Sequence, residues 1–128
     1  MQKFFDKVFP DFPITLNEIK PGKTTLTYNC RKSDLREGNT ILGPTMFAIA
    51  DAGCYAAFMA NVGREISMVT TSLSIQFFSR PELQNLVCEV IPDKIGRRLC
   101  FARFEIKSES GHKTFAHGVC TYARPESG

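Results

Sequence analysis

Residues 43–63 read GPTMFAIADAGCYAAFMANVG, and the way this stretch folds decides the rest of the molecule. Gly43 can serve as a helix N-cap, Pro44 suits the first helical position, and Gly63 stands where a left-handed C-cap belongs. About five helical turns separate the two ends. Met46, Phe47, Ala48, Ile49, Ala50, Ala52, Cys54, Ala56, Ala57, Phe58, Met59 and Val62 leave hardly a polar face. Such a helix has to be wrapped by protein on most sides, and its alanines let the wrapping come close. The one charged side chain between Glu37 and Arg64 is Asp51, in the middle of this apolar helix. Aspartate is a poor mid-helix residue, because it favours caps and turns. Two readings stand side by side. Asp51 caps a loop or pairs with a buried cation, or it is a desolvated carboxylate whose raised basicity suits it to act as base or nucleophile.

Outward from the helix, the N-terminal side predicts a short amphipathic helix over Gln2 to Phe9, ended by Pro10 and Pro13. A hairpin follows, Thr15 to Ile19 and Thr24 to Cys30, joined by Lys20-Pro21-Gly22-Lys23, whose central Pro and Gly are type II turn chemistry. A polar loop with a turn at Gly38-Asn39 leads into the helix. On the C-terminal side, Met68 to Phe78 alternates with a period of two, Val69, Thr71, Leu73, Ile75 and Phe77 on one face. Leu86 to Ile91, Leu99 to Lys107 and Thr114 to Tyr122 continue in kind, separated by hairpin turns at Pro92 to Gly96 and at Ser110-Gly111. The expectation is an antiparallel meander of four strands. The class is α+β, a curved antiparallel sheet packed on one long buried helix, and residues 1–128 form one domain. Such a sheet leaves edges that call for a second subunit, giving a homodimer or a dimer of dimers.

Composition excludes several classes. The formal charge is +3 with the basic residues scattered, too mild for a nucleic-acid stripe but enough for a few cations to hold a phosphorylated small molecule. Cys30, Cys54, Cys88, Cys100 and Cys120 are odd in number, widely spaced and set in apolar runs, with no metal-ligand spacing, so they read as reduced core thiols of a cytoplasmic protein. The N-terminus MQKFFDKVF lacks the apolar run of a signal peptide. Asp51 near the middle of the longest apolar stretch argues against a membrane span.

The segment Gly43-Pro44-Thr45-Met46-Phe47-Ala48-Ile49-Ala50-Asp51, with the later strand ending Phe77-Phe78-Ser79-Arg80-Pro81, resembles the PaaI-like branch of the hotdog-fold acyl-CoA thioesterases, over roughly residues 30 to 122. The first segment is similar to that family's His-Gly-Gly-x-x-x-x-x-x-Asp motif. The resemblance implies a hotdog fold and hydrolysis of acyl-CoA without metal or cofactor, at a site on the subunit interface. It implies Asp51 as base or nucleophile, the Gly43 backbone N–H as donor to the thioester carbonyl, Thr71 near the attacking water, and Asn39 as the nearest loop amide. A helix start, with its unpaired N–H groups and positive dipole end, suits a developing oxyanion. Two departures stand out. Leu42 occupies the position of the motif histidine, and Pro44 replaces the second glycine, removing one N–H.

Arg97 and Arg98, beside a hairpin glycine, are candidates for the phosphates of coenzyme A or simply solvated hairpin cations, and Arg80 at a strand end is equally open. Met46, Phe47, Tyr55 and Phe77 suggest aromatic pocket walls. Cys54 reads as core, since no histidine in its segment would activate it. Two other functions compete with hydrolysis. One is a non-catalytic acyl-CoA-binding module, favoured by Leu42 and Pro44. The other is a hydratase, which needs a histidine in the site, and the pattern places neither His112 nor His117 there.

Overall fold

The computed structural model describes residues 2–35, 40–62 and 68–124. In chain order these form α1 (Gln2–Val8), β1 (Ile14–Lys20), β2 (Lys23–Tyr28), a 3-10 turn (Lys32–Asp34), α2 (Gly43–Val62), β3 (Val69–Phe77), β4 (Leu86–Ile95), β5 (Leu99–Ser108) and β6 (Thr114–Ala123). The six strands make one antiparallel sheet in the order β1-β2-β4-β5-β6-β3, and α2 lies across it: the hotdog arrangement. Gly22, at φ 98°, provides the left-handed residue of the β1–β2 turn.

The core lies between α2 and the sheet. Ile49, Ala50, Ala52, Ala56, Ala57 and Phe58 on the helix meet Leu26, Leu86, Val90, Ala102 and Ile106 on the strands, all fully or almost fully buried. Contact is close enough that a Cβ on Gly53 would sit 2.9 Å from the Cys88 sulfur. None of the described helices is long and apolar enough to cross a membrane.

Several expectations need correction. Only β4, β5 and β6 form a meander; β3 crosses over and pairs with β6 at the far edge, while the β1–β2 hairpin takes the place beside β4. Strand β4 does not turn at Pro92 but runs on to Ile95 through a register shift between Pro92 and Lys94. Its pairing with β2 ends at Val90, so from there one edge is unpaired and a residue without an N–H costs no ladder bond. The helix cap falls one residue early, because the Leu42 carbonyl accepts the N–H groups of Thr45 (3.1 Å) and Met46 (3.3 Å). Gly43 therefore carries the first N–H of the helix and Pro44 is its second residue. Cys54 on α2 and Cys120 on β6 are joined in a disulfide, so the reading of five reduced thiols holds only for Cys30, Cys88 and Cys100. Gly63, the expected C-cap, and the Gly38-Asn39 turn lie outside the described residues.

Candidate active site

Asp51 sits partly exposed in the third turn of α2, and its carboxylate faces the end of the sheet where β3 begins and β6 finishes. Oδ1 accepts the Thr70 hydroxyl of β3 at 2.8 Å and the Tyr122 hydroxyl of β6 at 2.6 Å. The Tyr122 oxygen also lies 2.8 Å from the Asp51 backbone carbonyl oxygen. A phenol has one proton, and the shorter, charge-assisted contact to the carboxylate takes it. Burial, and then the negative charge of Asp51, push the Tyr122 hydroxyl far above its ordinary range, so it remains a donor. Neither partner of Asp51 is a cation.

The expectation for Thr71 is corrected by one residue. The β3–β6 register shifts between Thr70 and Ser72, and this bulge changes which face each side chain takes. Thr70 turns inward together with Leu73 and Ile75, whereas Thr71 is exposed and its hydroxyl donates to the Thr121 carbonyl at 3.1 Å. Asn39 lies outside the described residues.

Gly43 stands at the opposite end of this region. Its N–H makes no hydrogen bond to a described residue, and it opens beside a shallow apolar groove lined by Gly43, Pro44, Phe47, Ile75 and Phe77. The Phe77 ring lies so near that a Cβ on Gly43 would be 3.3 Å from it. Arg80 is exposed just beyond β3, close to this helix start, since the Ile41 N–H bonds the carbonyl of neighbouring Pro81. Arg97 and Arg98 are at the other end. Arg98 pairs with Arg124 through a 2.7 Å backbone bond, two residues beyond Tyr122, or about 7 Å along the strand. Within one chain the arginines thus fall at opposite ends of β3, about 30 Å apart.

The remaining candidates do not join the site. His117 faces outward and stacks on Phe78 (4.8 Å between ring centres), and His112 lies in the exposed β5–β6 turn. Cys54 is bonded to Cys120 and has no free thiol. A hollow of about 480 Å³ on the outer sheet face, lined by Glu89, Arg103, Glu105 and His117 among others, is separated from Asp51 by the sheet itself. Sequence reasoning missed Thr70 and Tyr122. Tyr122 shares the inward phase of Cys120, but only the packing of β6 against α2 puts it beside Asp51, and only the pairing of β3 with β6 adds Thr70.

Residues 38–115 match the family model of the Thioesterase superfamily. Among solved structures, a candidate thioesterase from Silicibacter sp. is 30% identical over 98% of this chain and 89% of its own, with a TM-score of 0.86. PaaI from the phenylacetic acid degradation operon of E. coli superposes with a TM-score of 0.82 at 18% identity, covering 96% and 92% of the two chains. A hypothetical thioesterase from Streptococcus pneumoniae, solved with coenzyme A, gives 0.84 at 18% identity over 96% and 95%. None of the curated protein sequences matches this chain.

Proposed function

The chain belongs to the thioesterase superfamily, and from that premise we propose that it is a PaaI-like hydrolase that cleaves acyl-CoA to free acid and coenzyme A through Asp51 and the Gly43 N–H. The observation that carries this reading is the Asp51 carboxylate itself. It is held on the sheet by two neutral hydroxyls, Oδ1 taking both, and no cation among the described residues pairs with it. Oδ2 accepts no hydrogen bond from the described residues and is the oxygen free to act.

In the water route Oδ2 takes a proton as the hydroxide adds to the thioester carbon, the Gly43 N–H stabilises the oxyanion, and the C–S bond breaks as the proton passes to the leaving thiolate. In the direct route Oδ2 adds to the carbon itself, the thiolate leaves, and water hydrolyses the mixed anhydride. Both routes use the same two groups. The apolar groove beside Gly43 suits the acyl group, and Arg97 and Arg98 suit the phosphates of coenzyme A. The coenzyme A held by the pneumococcal fold neighbour supports this substrate class.

The two groups of one chain cannot serve the same carbonyl. Eight residues of helix put Gly43 about 12 Å from Asp51 along the axis. Helical N–H groups also point toward the N-terminus, so an oxygen bound at Gly43 lies farther away still. A second copy resolves this. β3 is an edge strand with exposed Val69 and Phe77, and antiparallel pairing with its own mate brings the Gly43 and Arg80 end of one protomer to the Asp51 and Arg98 end of the other. The active unit on this reading is a homodimer, alone or within a homotetramer, with 1–128 as one domain in each protomer.

Thiol release from short, medium, long and aryl acyl-CoAs, measured on wild type and Asp51→Asn, tests the chemistry. The variant should fold normally and lose roughly 10²- to 10⁴-fold in turnover. Equal rates would refute the role of Asp51, and tight binding without turnover by wild type would favour the binding module. Mixing Asp51→Asn with Gly43→Pro, which removes the N–H at a first helical position that accepts proline once the exposed Phe77 ring yields a few tenths of an ångström, tests the sharing. Two inactive parents should regain roughly a quarter of wild-type activity, since half the dimers are mixed and each holds one intact site.

A further inference from the structure

We propose that Tyr122, seconded by Thr70, is a positioning residue that orients the Asp51 carboxylate and presents one defined oxygen to the reaction. This rests on the reading of Asp51 as the reacting carboxylate and adds what sets its geometry.

An aspartate carboxylate rotates about its last torsion through two nearly equivalent states, because its two oxygens are alike. Two donors on the same oxygen remove that equivalence. Tyr122 at 2.6 Å and Thr70 at 2.8 Å both address Oδ1, which leaves Oδ2 as the oxygen without a donor among the described residues. The Tyr122 hydroxyl is itself held by packing. The residue is 1% exposed, its ring packs on Phe58 (4.8 Å between centres) and Tyr55 (6.2 Å), and two residues earlier Cys120 is bonded to Cys54 of α2. The helix and strand bearing the two partners are thereby tied together one helical turn from Asp51. Thr70 arrives from the other side only because the β3 bulge turns it inward. Both donors are neutral, so they fix the carboxylate without cancelling its charge as an arginine would.

The alternative is a bond that merely holds α2 on the sheet, with activity unaffected unless the protein loosens. Steady-state kinetics on the full chain, with acyl-CoA as substrate and thermal melting alongside, separates the two. Tyr122→Phe should reduce kcat roughly tenfold to a hundredfold, the range expected for loss of a hydrogen bond to a charged group, with KM unchanged. In the Asp51→Asn background the same change should have no further effect on kcat. Thr70 supplies a second test that does not depend on how Tyr122→Phe folds. Thr70→Ser keeps the hydroxyl and should retain kcat, while Thr70→Val keeps the shape and should lose it. A packing role demands the reverse order. Turnover by Asp51→Asn at the wild-type rate would defeat the underlying reading. An inactive Asp51→Asn together with wild-type kcat in Tyr122→Phe, or with Thr70→Val more active than Thr70→Ser, would overturn this inference alone.

Discussion

Two aspartates of this chain each lie against the hydroxyl of a buried tyrosine, and they differ in what else surrounds them. Asp34, in the 3-10 turn, has Tyr28 beside it, accepts the Arg31 backbone N–H at 2.8 Å and forms an ion pair with the Arg31 guanidinium at 3.4 Å. Both its oxygens are occupied and its charge is answered. Asp51 has Tyr122 and Thr70 on one oxygen and no cation among the described residues. Both tyrosines are pushed well above their ordinary range, by burial first and then by the carboxylate next to them. The tyrosine therefore does not tell the two sites apart. A carboxylate satisfied on both oxygens and neutralised is a clamp, whereas one satisfied on a single oxygen and left charged retains reactivity.

The widest separation between them should be in activity. Asp51→Asn loses turnover by orders of magnitude while Asp34→Asn keeps wild-type kcat, both assayed by thiol release at saturating acyl-CoA. Comparable losses in the two variants would break the distinction. The next effect is covalent. The Asp51 region is cross-linked by Cys54–Cys120 across 66 residues of chain, while the contacts of Asp34 are local and non-covalent. Cys120→Ala should cost about 2–4 kcal/mol in urea unfolding, more than Asp34→Asn. Thiol titration in denaturant checks the premise directly, with three of the five cysteines expected to react and five reacting if the bond is absent.

What the sequence made legible here follows from range. End signals around a long apolar run, spacings of three and four at the N-terminus, and period-2 alternation in the strands are local signals, and they located α2, α1 and every strand to within a few residues. Asp51 stood out for an equally local reason, as a lone charge in an apolar helix. The order of strands is not local. That β3 leaves β4 and crosses to β6 depends on how a sheet closes around α2, which no turn residue encodes. The register is still more delicate. One extra residue at the Thr70–Ser72 shift exchanges the faces of Thr70 and Thr71, so a phase taken from Leu73 and Ile75 gives the wrong threonine. Tyr122 was invisible for the same reason, since its partner is 71 residues away. The link between Cys54 and Cys120 is another meeting of α2 with β6. Dispersed spacing suggested thiols, and only the packing brings the two sulfurs together.

The smallest expected effect concerns the pH dependence of the clamp. Burial alone would raise the Asp34 carboxyl, but the Arg31 backbone N–H, the Tyr28 hydroxyl and the Arg31 guanidinium together hold it below its ordinary range. A carboxyl depressed in the folded state binds its proton less readily there than in the unfolded chain. Its stabilising contribution is thus complete above the unfolded aspartate value, near pH 4, and disappears as the pH falls through the lower folded value. Asp34→Asn should be less stable than wild type by about 1–2 kcal/mol at neutral pH, the scale of hydrogen bonds to a charged group. Urea unfolding repeated from pH 7 down to about pH 3 should show this difference narrowing below pH 4 as wild type loses the contribution that the variant never had. A constant gap across that range would mean that the Asp34 charge adds nothing beyond the shape of the turn, and the contrast with Asp51 would then rest on geometry rather than on ionisation.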